Sequence, residues 1–317
     1  MKTRHLYHNL LVALVACCSF TACNNEVATV GTEECTVRVN LSMEEPDGVS
    51  RAVQDYNSEA FSGRYYLYNA SGAFIASGVL ESSNFTLTNL PAEEESTLVL
   101  LASPNGNQVV LPTEVNLAYN NATLVYQQGT EYNSTNITKD VYRDIIKIKP
   151  AIGINEVNAV LTRQNGALEI RIKNMNIKSA TLQLNGTQTM YFNDGTGGQV
   201  LSKDKITLTN TMEDLSGKND IRIRINLLPQ EDITTGNTAN DPNISTSDNK
   251  LTITDADGNE TKYDIKSNQG TIPIYPNQIT WLTLNGDDGD GEFTVSFSKD
   301  DINLDDESWD GWELLYF

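Results

Sequence analysis

Through the first half of the chain, apolar and polar positions alternate in short runs: Thr36-Val37-Arg38-Val39-Asn40-Leu41, Arg64-Tyr65-Tyr66-Leu67-Tyr68, Ala73-Phe74-Ile75-Ala76, Asn84-Phe85-Thr86-Leu87, Thr97-Leu98-Val99-Leu100-Leu101 and Asn116 to Tyr126. A period of two puts alternate side chains on opposite faces of a strand, so each run predicts a strand with one buried face. Asn69-Ala70-Ser71-Gly72, Pro91 and Pro104-Asn105-Gly106-Asn107 lie between the runs. Their residue types favour turns. The second half repeats the style. Leu168-Glu169-Ile170-Arg171-Ile172 and Ile221-Arg222-Ile223-Arg224-Ile225 alternate apolar with charged residues, which predicts sheets with one face wet and one buried. Leu251 to Thr254 and Thr261 to Ile265 flank Asp257-Gly258, a hairpin signal because Asp-Gly supplies the positive φ of a tight turn. Thr280 to Leu284, Glu292 to Ser298 and Trp312 to Phe317 are the last strand candidates. No amphipathic helix longer than about two turns is visible. Strands at this spacing predict an all-β fold of sandwich type.

The pattern breaks near residues 145–157, where Pro150 and Gly153 follow Ile145-Ile146-Lys147-Ile148 and a new run begins at Val157. The expected organisation is an N-terminal domain over 23–150 and a C-terminal domain over 151–317. Residues 229–250 are polar and turn-rich and are expected to form a long exposed loop. The first 22 residues stand apart: Lys2 and Arg4 precede the apolar run Asn9 to Ala16, and small residues precede Cys23. This is the layout of a secretory signal, and the run is too short to span a bilayer. Phe20-Thr21-Ala22-Cys23 also resembles a bacterial lipobox, which implies cleavage before Cys23 and acylation of its thiol. An ordinary secretory cut nearby is the alternative.

Loss of residues 1–22 changes the available chemistry. His5 and His8, the only histidines, leave with Cys17 and Cys18, so Cys23 and Cys35 are the remaining cysteines. That argues against a disulfide scaffold or a Cys/His zinc site. Cys35 follows two glutamates at the start of an alternating run and reads as a half-buried strand residue, since nearby carboxylates disfavour a thiolate. The remaining chain has 20 basic and 42 acidic residues, a formal charge of −22. Such a surface repels nucleic acid and anionic lipid.

Carboxylates are then the one abundant reactive type. Asp255-Ala256-Asp257-Gly258-Asn259-Glu260 and Asp287-Asp288-Gly289-Asp290-Gly291-Glu292 resemble calcium loops only superficially, because both lack the EF-hand spacing. A hydrolase would need two carboxylates flanking its substrate. Nothing but abundance suggests such a pair. No nucleophile elbow, P-loop or dinucleotide fingerprint is present, so the chain reads as a non-enzyme without cofactor. Tyr65, Tyr66 and Tyr68 cluster, but their alternation favours core and cross-strand packing over a sugar platform.

Two features carry more information. Arg51 lies with Ala52 in the turn-rich segment Pro46 to Val53, directly after the first strand, where a protease could reach it; a plain solvated loop is the other reading. The chain ends with Ile302, Leu304, Trp309, Trp312, Leu314, Leu315, Tyr316 and Phe317. So much apolar surface must pack on something, either as a final strand of its own domain or as a strand given to another molecule's sheet.

Taken together, the lipobox, the first strand before Arg51, the hairpin Tyr65 to Phe74, the segment Val160 to Ile172 and the ending Ile302-Asn303-Leu304 with Trp309 resemble the fimbrillins and fimbrial anchor subunits of Bacteroidetes type V pili. The resemblance is diffuse and spans most of the chain. It implies two transthyretin-like β-sandwich domains in tandem, export as a lipoprotein anchored at Cys23 to the outer membrane, and association with other fimbrial subunits by strand addition. In shaft subunits of that family an arginine-specific protease removes the first strand. Here that would be cleavage between Arg51 and Ala52, loss of Thr36 to Leu41, and donation of the tail through Ile302, Leu304, Trp309, Trp312, Leu314 and Tyr316. In anchor subunits the lipid and first strand are kept. A surface lipoprotein that binds glycan or host protein is the other function compatible with the residues, and it should show exposed aromatics on one sheet face.

Overall fold

The computed structural model describes residues 34–44, 53–105, 109–112, 118–126, 140–193, 202–216, 221–233, 249–265, 271–286, 294–298 and 313–316. These form strands joined by turns. In chain order they are β1 (Glu34–Glu44), β2 (Val53–Asp55), β3 (Phe61–Asn69), β4 (Phe74–Val79), β5 (Asn84–Pro91), β6 (Ser96–Pro104) and β7 (Val109–Val110). One 3-10 turn, Tyr119–Asn121, precedes β8 (Thr123–Tyr126), β9 (Tyr142–Ile148), β10 (Ile154–Arg163), β11 (Gly166–Lys173) and β12 (Ile177–Tyr191). Then come β13 (Ser202–Met212), β14 (Ile221–Leu227), β15 (Lys250–Asp255), β16 (Glu260–Asp264), β17 (Ile279–Asn285), β18 (Thr294–Ser298) and β19 (Glu313–Tyr316). The fold is all-β and of sandwich type, as the alternation predicts.

Three sheets result. The first has the order β2-β1-β10-β9-β6-β3-β4, with β5 also paired to β1. Inside it lies a core that includes Val37, Val39, Leu41, Leu87, Leu98, Leu100 and Leu161. The second sheet, β18-β17-β11-β14-β19, faces the third, β16-β15-β12-β8-β7 with β13 on β12. Leu168, Ile170, Ile223 and Leu282 of the second meet Leu182, Leu184, Leu251 and Ile253 of the third in another core. The opposite face of the first sheet presents Tyr66, Tyr68, Val99 and Leu101 to Leu124, Met190 and Phe192. Tyr66 and Tyr68 are therefore fully buried, as their alternation predicts. Tyr65 points the other way, stacks on Phe85 and covers Gly78, its cross-strand partner.

The turns behave as their residues require. Asn69 Oδ1 accepts from the amides of Ser71 and Ala73, at 3.0 and 2.9 Å, while Gly72 takes φ 78°. This is an Asx turn closed by a residue that tolerates positive φ. In the β15–β16 hairpin Asp255 accepts from the amide and side chain of Asn259, and Gly258 takes φ 89°. Those bonds hold the Asp255 carboxyl below its usual range. The first calcium-like segment is therefore a hairpin turn; Asp287 to Glu292 lies outside the described residues.

Several expectations need correction. Asn116 to Tyr126 contributes a 3-10 turn and the short strand β8 among its described residues, not one long strand. Cys35 is fully rather than half buried, with its Sγ 4.0 Å from the Pro150 carbonyl. The ends of the expected 229–250 loop are buried at Gln230, Asp232, Ile233 and Asn249. Asp232 Oδ1 accepts from the Ile272 amide, and Asn249 donates to the Ile233 carbonyl. Across residues 149–153, where the sequence pattern breaks, the chain remains in the first sheet: β10 runs beside β1 and β9, and the chain leaves that sheet after Arg163. The segment Val160 to Ile172 thus spans the end of β10 at Arg163 and most of β11, which starts at Gly166.

Gly166 marks a close backbone approach. A Cβ there would lie 2.3 Å from the Tyr275 carbonyl oxygen and 2.6 Å from Ile274 Cγ2. Gly166→Ala must displace backbone, so chemical denaturation should show a loss of about 1–3 kcal/mol. An unchanged midpoint would mean the segment at 274–278 yields freely.

Candidate functional site

The two chain segments marked by the sequence as exchangeable strands begin with β1. It pairs in parallel with β10 from Thr36↔Ile154 to Met43↔Leu161. Its other edge pairs antiparallel with β5 over Glu34 to Asn40 and with β2 over Ser42 to Glu44. Side chains reinforce the parallel seam: Ser42 Oγ donates to the Ala159 carbonyl at 3.0 Å, and Asn40 Nδ2 to Asn158 Oδ1 at 3.0 Å. On the inner face Cys35, Val37, Val39, Leu41 and Met43 form an unbroken stripe, none more than 2% exposed. Burying the last four of these is worth about 6–12 kcal/mol as an upper estimate. Residues 45–52, which hold Arg51 and Ala52, connect β1 to β2 and lie outside the described residues, as does Cys23. β2 itself is exposed.

The second segment is β19. It runs parallel to β14, with Glu313↔Ile221 and Tyr316↔Arg224, and forms one edge of the second sheet. Leu314 and Tyr316 therefore occupy an edge strand of their own chain's sheet. Ile302, Leu304, Trp309 and Trp312 lie outside the described residues.

Beside β19 the sheet carries a charge cluster. The alternation in β11 and β14 predicts that Glu169, Arg171, Arg222 and Arg224 are solvated, yet all four are at least nine-tenths buried, and Glu169 is fully so. Arg171 Nε donates to Glu169 Oε1 at 2.7 Å, Arg222 Nη2 to Oε2 at 2.9 Å, and Arg224 to Oε2 through Nη2 at 2.7 Å and Nε at 2.9 Å. The Arg171 guanidinium also lies 4.1 Å over the Trp281 ring, a cation–π geometry. Burial alone would raise the Glu169 carboxyl, but Arg224, Arg222 and Arg171 outweigh it and hold the group below the ordinary glutamate range. The signal that could have revealed this is the complementary pair Glu-x-Arg and Arg-x-Arg in two alternating runs, which sets one acid between three bases once the strands adjoin.

Elsewhere the buried charges are structural. Arg163 pairs with Asp140 at 2.8 Å. The Asp144 carboxyl, pushed up by burial and pulled back by amides, accepts from Val160 and Ile145. A cleft of about 610 Å³ near the start of β3 is lined by Phe61, Arg64, Leu80 and Glu81 among others, and Glu81 is the single acid among the described residues that line it. Its described residues do not include the converging carboxylate pair of a glycosidase. Among the described residues no group of three His, Cys, Asp or Glu is placed to hold a metal ion, and Tyr275 is the one exposed aromatic.

No family model matches the chain, and no curated protein matches it in sequence. Its fold is similar to solved structures. The fimbrial anchor protein Mfa2 from Porphyromonas gingivalis is 12% identical, with a TM-score of 0.47 over 84% of this chain and 97% of that one. The tip fimbrial protein Mfa3 from the same organism is 11% identical, with a TM-score of 0.43 over 83% and 99%. A candidate adhesin from Bacteroides thetaiotaomicron is 10% identical, with a TM-score of 0.49 over 84% and 97%.

Proposed function

We propose that this chain is a structural subunit of a cell-surface fimbria, exported as a lipoprotein acylated at Cys23, cut between Arg51 and Ala52, and polymerised by strand exchange. One observation supports this most: β1 is an inner strand of the first sheet, yet it continues into the rest of the fold through the single segment 45–52 that contains Arg51. Cleavage there frees β1 to leave. Its departure would strip partners from β10 on one side and from β5 and β2 on the other, and open an apolar groove between them. Unpaired backbone and bare apolar surface are both costly in water, and one incoming strand satisfies both. The tail from Ile302 to Phe317 is the proposed donor, and other fimbrial subunits are the partners.

The test is treatment of the purified protein with an arginine-specific protease, followed by denaturing electrophoresis of unheated samples. Ladders are expected from the unaltered chain and none from Arg51→Ala. A monomer in both would remove the shaft reading. The anchor reading is favoured by a different observation, the complete pairing of β1 in the intact chain, and it predicts native protein whose N-terminus is an acylated Cys23 rather than Ala52. Under the proposed division into domains of residues 23–150 and 151–317, β10 belongs to the second and β5 and β2 to the first, so the groove left by β1 would lie between strands of both.

A further inference from the structure

Ile152 and Ile154 are the most exposed large apolar residues among the described ones, each at 66%. They flank Gly153, which takes φ 102° and stands in open space, with nothing within 4 Å of where a Cβ would be. Singly, an apolar side chain in water needs no explanation. Two at the tip of one turn do, because the turn is tied down. Asn155 Oδ1 accepts from the Ala151 amide at 3.0 Å, and its Nδ2 donates to the carbonyls of Ala151 at 2.8 Å and Thr36 at 3.3 Å. The Thr36 amide in turn donates to the Gly153 carbonyl at 3.1 Å. These bonds fix a turn in which Ala151, Ile152 and Ile154 are all exposed, where polar residues would serve a plain turn better.

The place of this tip in the fold matters as much as its shape. β1 and β10 start side by side, with Thr36 level with Ile154, so the chain enters β1 beside the tip. Residues 24–33 alone separate Cys23 from Glu34, a reach of at most about 40 Å. A lipid on Cys23 therefore keeps the tip near the bilayer at a high effective concentration, where a modest apolar contact is enough to form. The neighbouring turn at 92–95 belongs to the same end, since the Glu93 amide donates to the Pro150 carbonyl at 2.8 Å. Its Glu93 and Glu95 carboxylates face Lys149 and Lys147 at 3.9 and 3.2 Å. Glu94 and Glu156 add acid nearby, so the end offers anionic lipid no net attraction. The tip itself carries no charge.

We propose that Ala151, Ile152 and Ile154 dip into the interfacial layer of the membrane and form a second contact beside the acyl anchor. The partner is an uncharged or zwitterionic lipid surface held by apolar burial, so added salt should not weaken the contact. It keeps the start of β1 at the lipid, and the eleven residues of that strand, at about 3.3 Å each, carry the 45–52 segment about 36 Å away along the strand. The inference rests on the acylation of Cys23 proposed above and applies to the chain while β1 is in place.

The test uses the lipoprotein in vesicles of phosphatidylethanolamine and phosphatidylcholine, after mass spectrometry of its N-terminus. Ala151→Cys carries a polarity-sensitive thiol dye at the tip and keeps both isoleucines; Cys35 is buried. Glu59→Cys carries the same dye on an exposed site between β2 and β3, at the opposite end of β1. Lipids with a nitroxide on the acyl chain should quench the dye at residue 151 several-fold more than the dye at residue 59. Ile152→Ser with Ile154→Ser should bring residue 151 down to the level of residue 59 and leave the unfolding midpoint unchanged. Equal quenching at the two sites overturns the proposal, as does full quenching in the double serine variant. So does a blue shift that ignores the quencher lipid and grows with protein density, because the tip then meets a second copy. If the mass shows no acyl chain on Cys23, that reading falls separately. The same comparison is then made on a chain with six histidines in place of Cys23, held on nickel-chelating lipid, where quenching at residue 151 supports the tip contact and its absence overturns it.

Discussion

A chain that begins at Ala52 should not be recovered as a stable monomer in the absence of a replacement strand. The missing β1 side chains Val37, Val39, Leu41 and Met43 are each almost wholly buried, and their contribution of about 6–12 kcal/mol is comparable to the whole stability of an ordinary domain. Size-exclusion chromatography with light scattering should show oligomers or aggregate. A synthetic peptide spanning residues 34–44, ECTVRVNLSME, supplied during refolding should restore a defined species, because it returns both the stripe and the two edges of hydrogen bonds. The same peptide carrying Val37→Asp and Val39→Asp should fail. A soluble monomer from Ala52 onward with the unfolding midpoint of the full chain would show that β1 is dispensable, and strand exchange at this groove would lose its physical basis.

Glu169→Gln should be the most damaging single substitution on the second sheet. It keeps the shape of the side chain and removes a carboxylate that Arg171, Arg222 and Arg224 share. Breaking such a buried arrangement costs about 3–5 kcal/mol, which denaturant titration would read as a lowered midpoint with an unchanged slope. Adding Arg224→Met should recover part of the loss, because one of the guanidiniums is then gone. A midpoint within error of the parent would mean that other anions already balance the cluster. The pH dependence has a definite sign. A carboxyl whose folded pKa is depressed stabilises the fold above its unfolded pKa, and that contribution fades as the pH falls below about 4.3. The parent chain should therefore lose stability in acid through Glu169, and Glu169→Gln should show a flatter profile over the same window.

Local physics made much of the fold readable in advance. β1, β3, β4, β5 and β6 coincide with alternating runs, the Asn69 and Gly258 turns sit where residue chemistry demands them, and Tyr66 and Tyr68 face a core. What failed depends on distant neighbours. The pairing of β1 with β10 joins residues more than a hundred positions apart, so alternation around Pro150 and Gly153 gives no sign that the strands on either side share one sheet. The charged faces of β11 and β14 failed for a related reason: alternation tells which residues share a face, but not whether that face meets water. Of the site residues marked in advance, Leu314 and Tyr316 fall in a described strand at a sheet edge. Arg51 follows an inner strand in sequence, a position that alternation could not supply.

β12 has a mechanical meaning. Its Ala180, Leu182 and Leu184 belong to the sandwich core, and its Met190 belongs to the cluster beneath the first sheet. At about 3.3 Å per residue its fifteen residues extend roughly 50 Å. One uninterrupted backbone thus ties two packed interiors together, and bending between them would have to break ladder bonds to β8, β13 or β15 rather than flex a linker. In the filament proposed above such a member would act as a tie rod: load would pass along covalent bonds and shear many hydrogen bonds at once, so the chain should yield at its joints before it stretches.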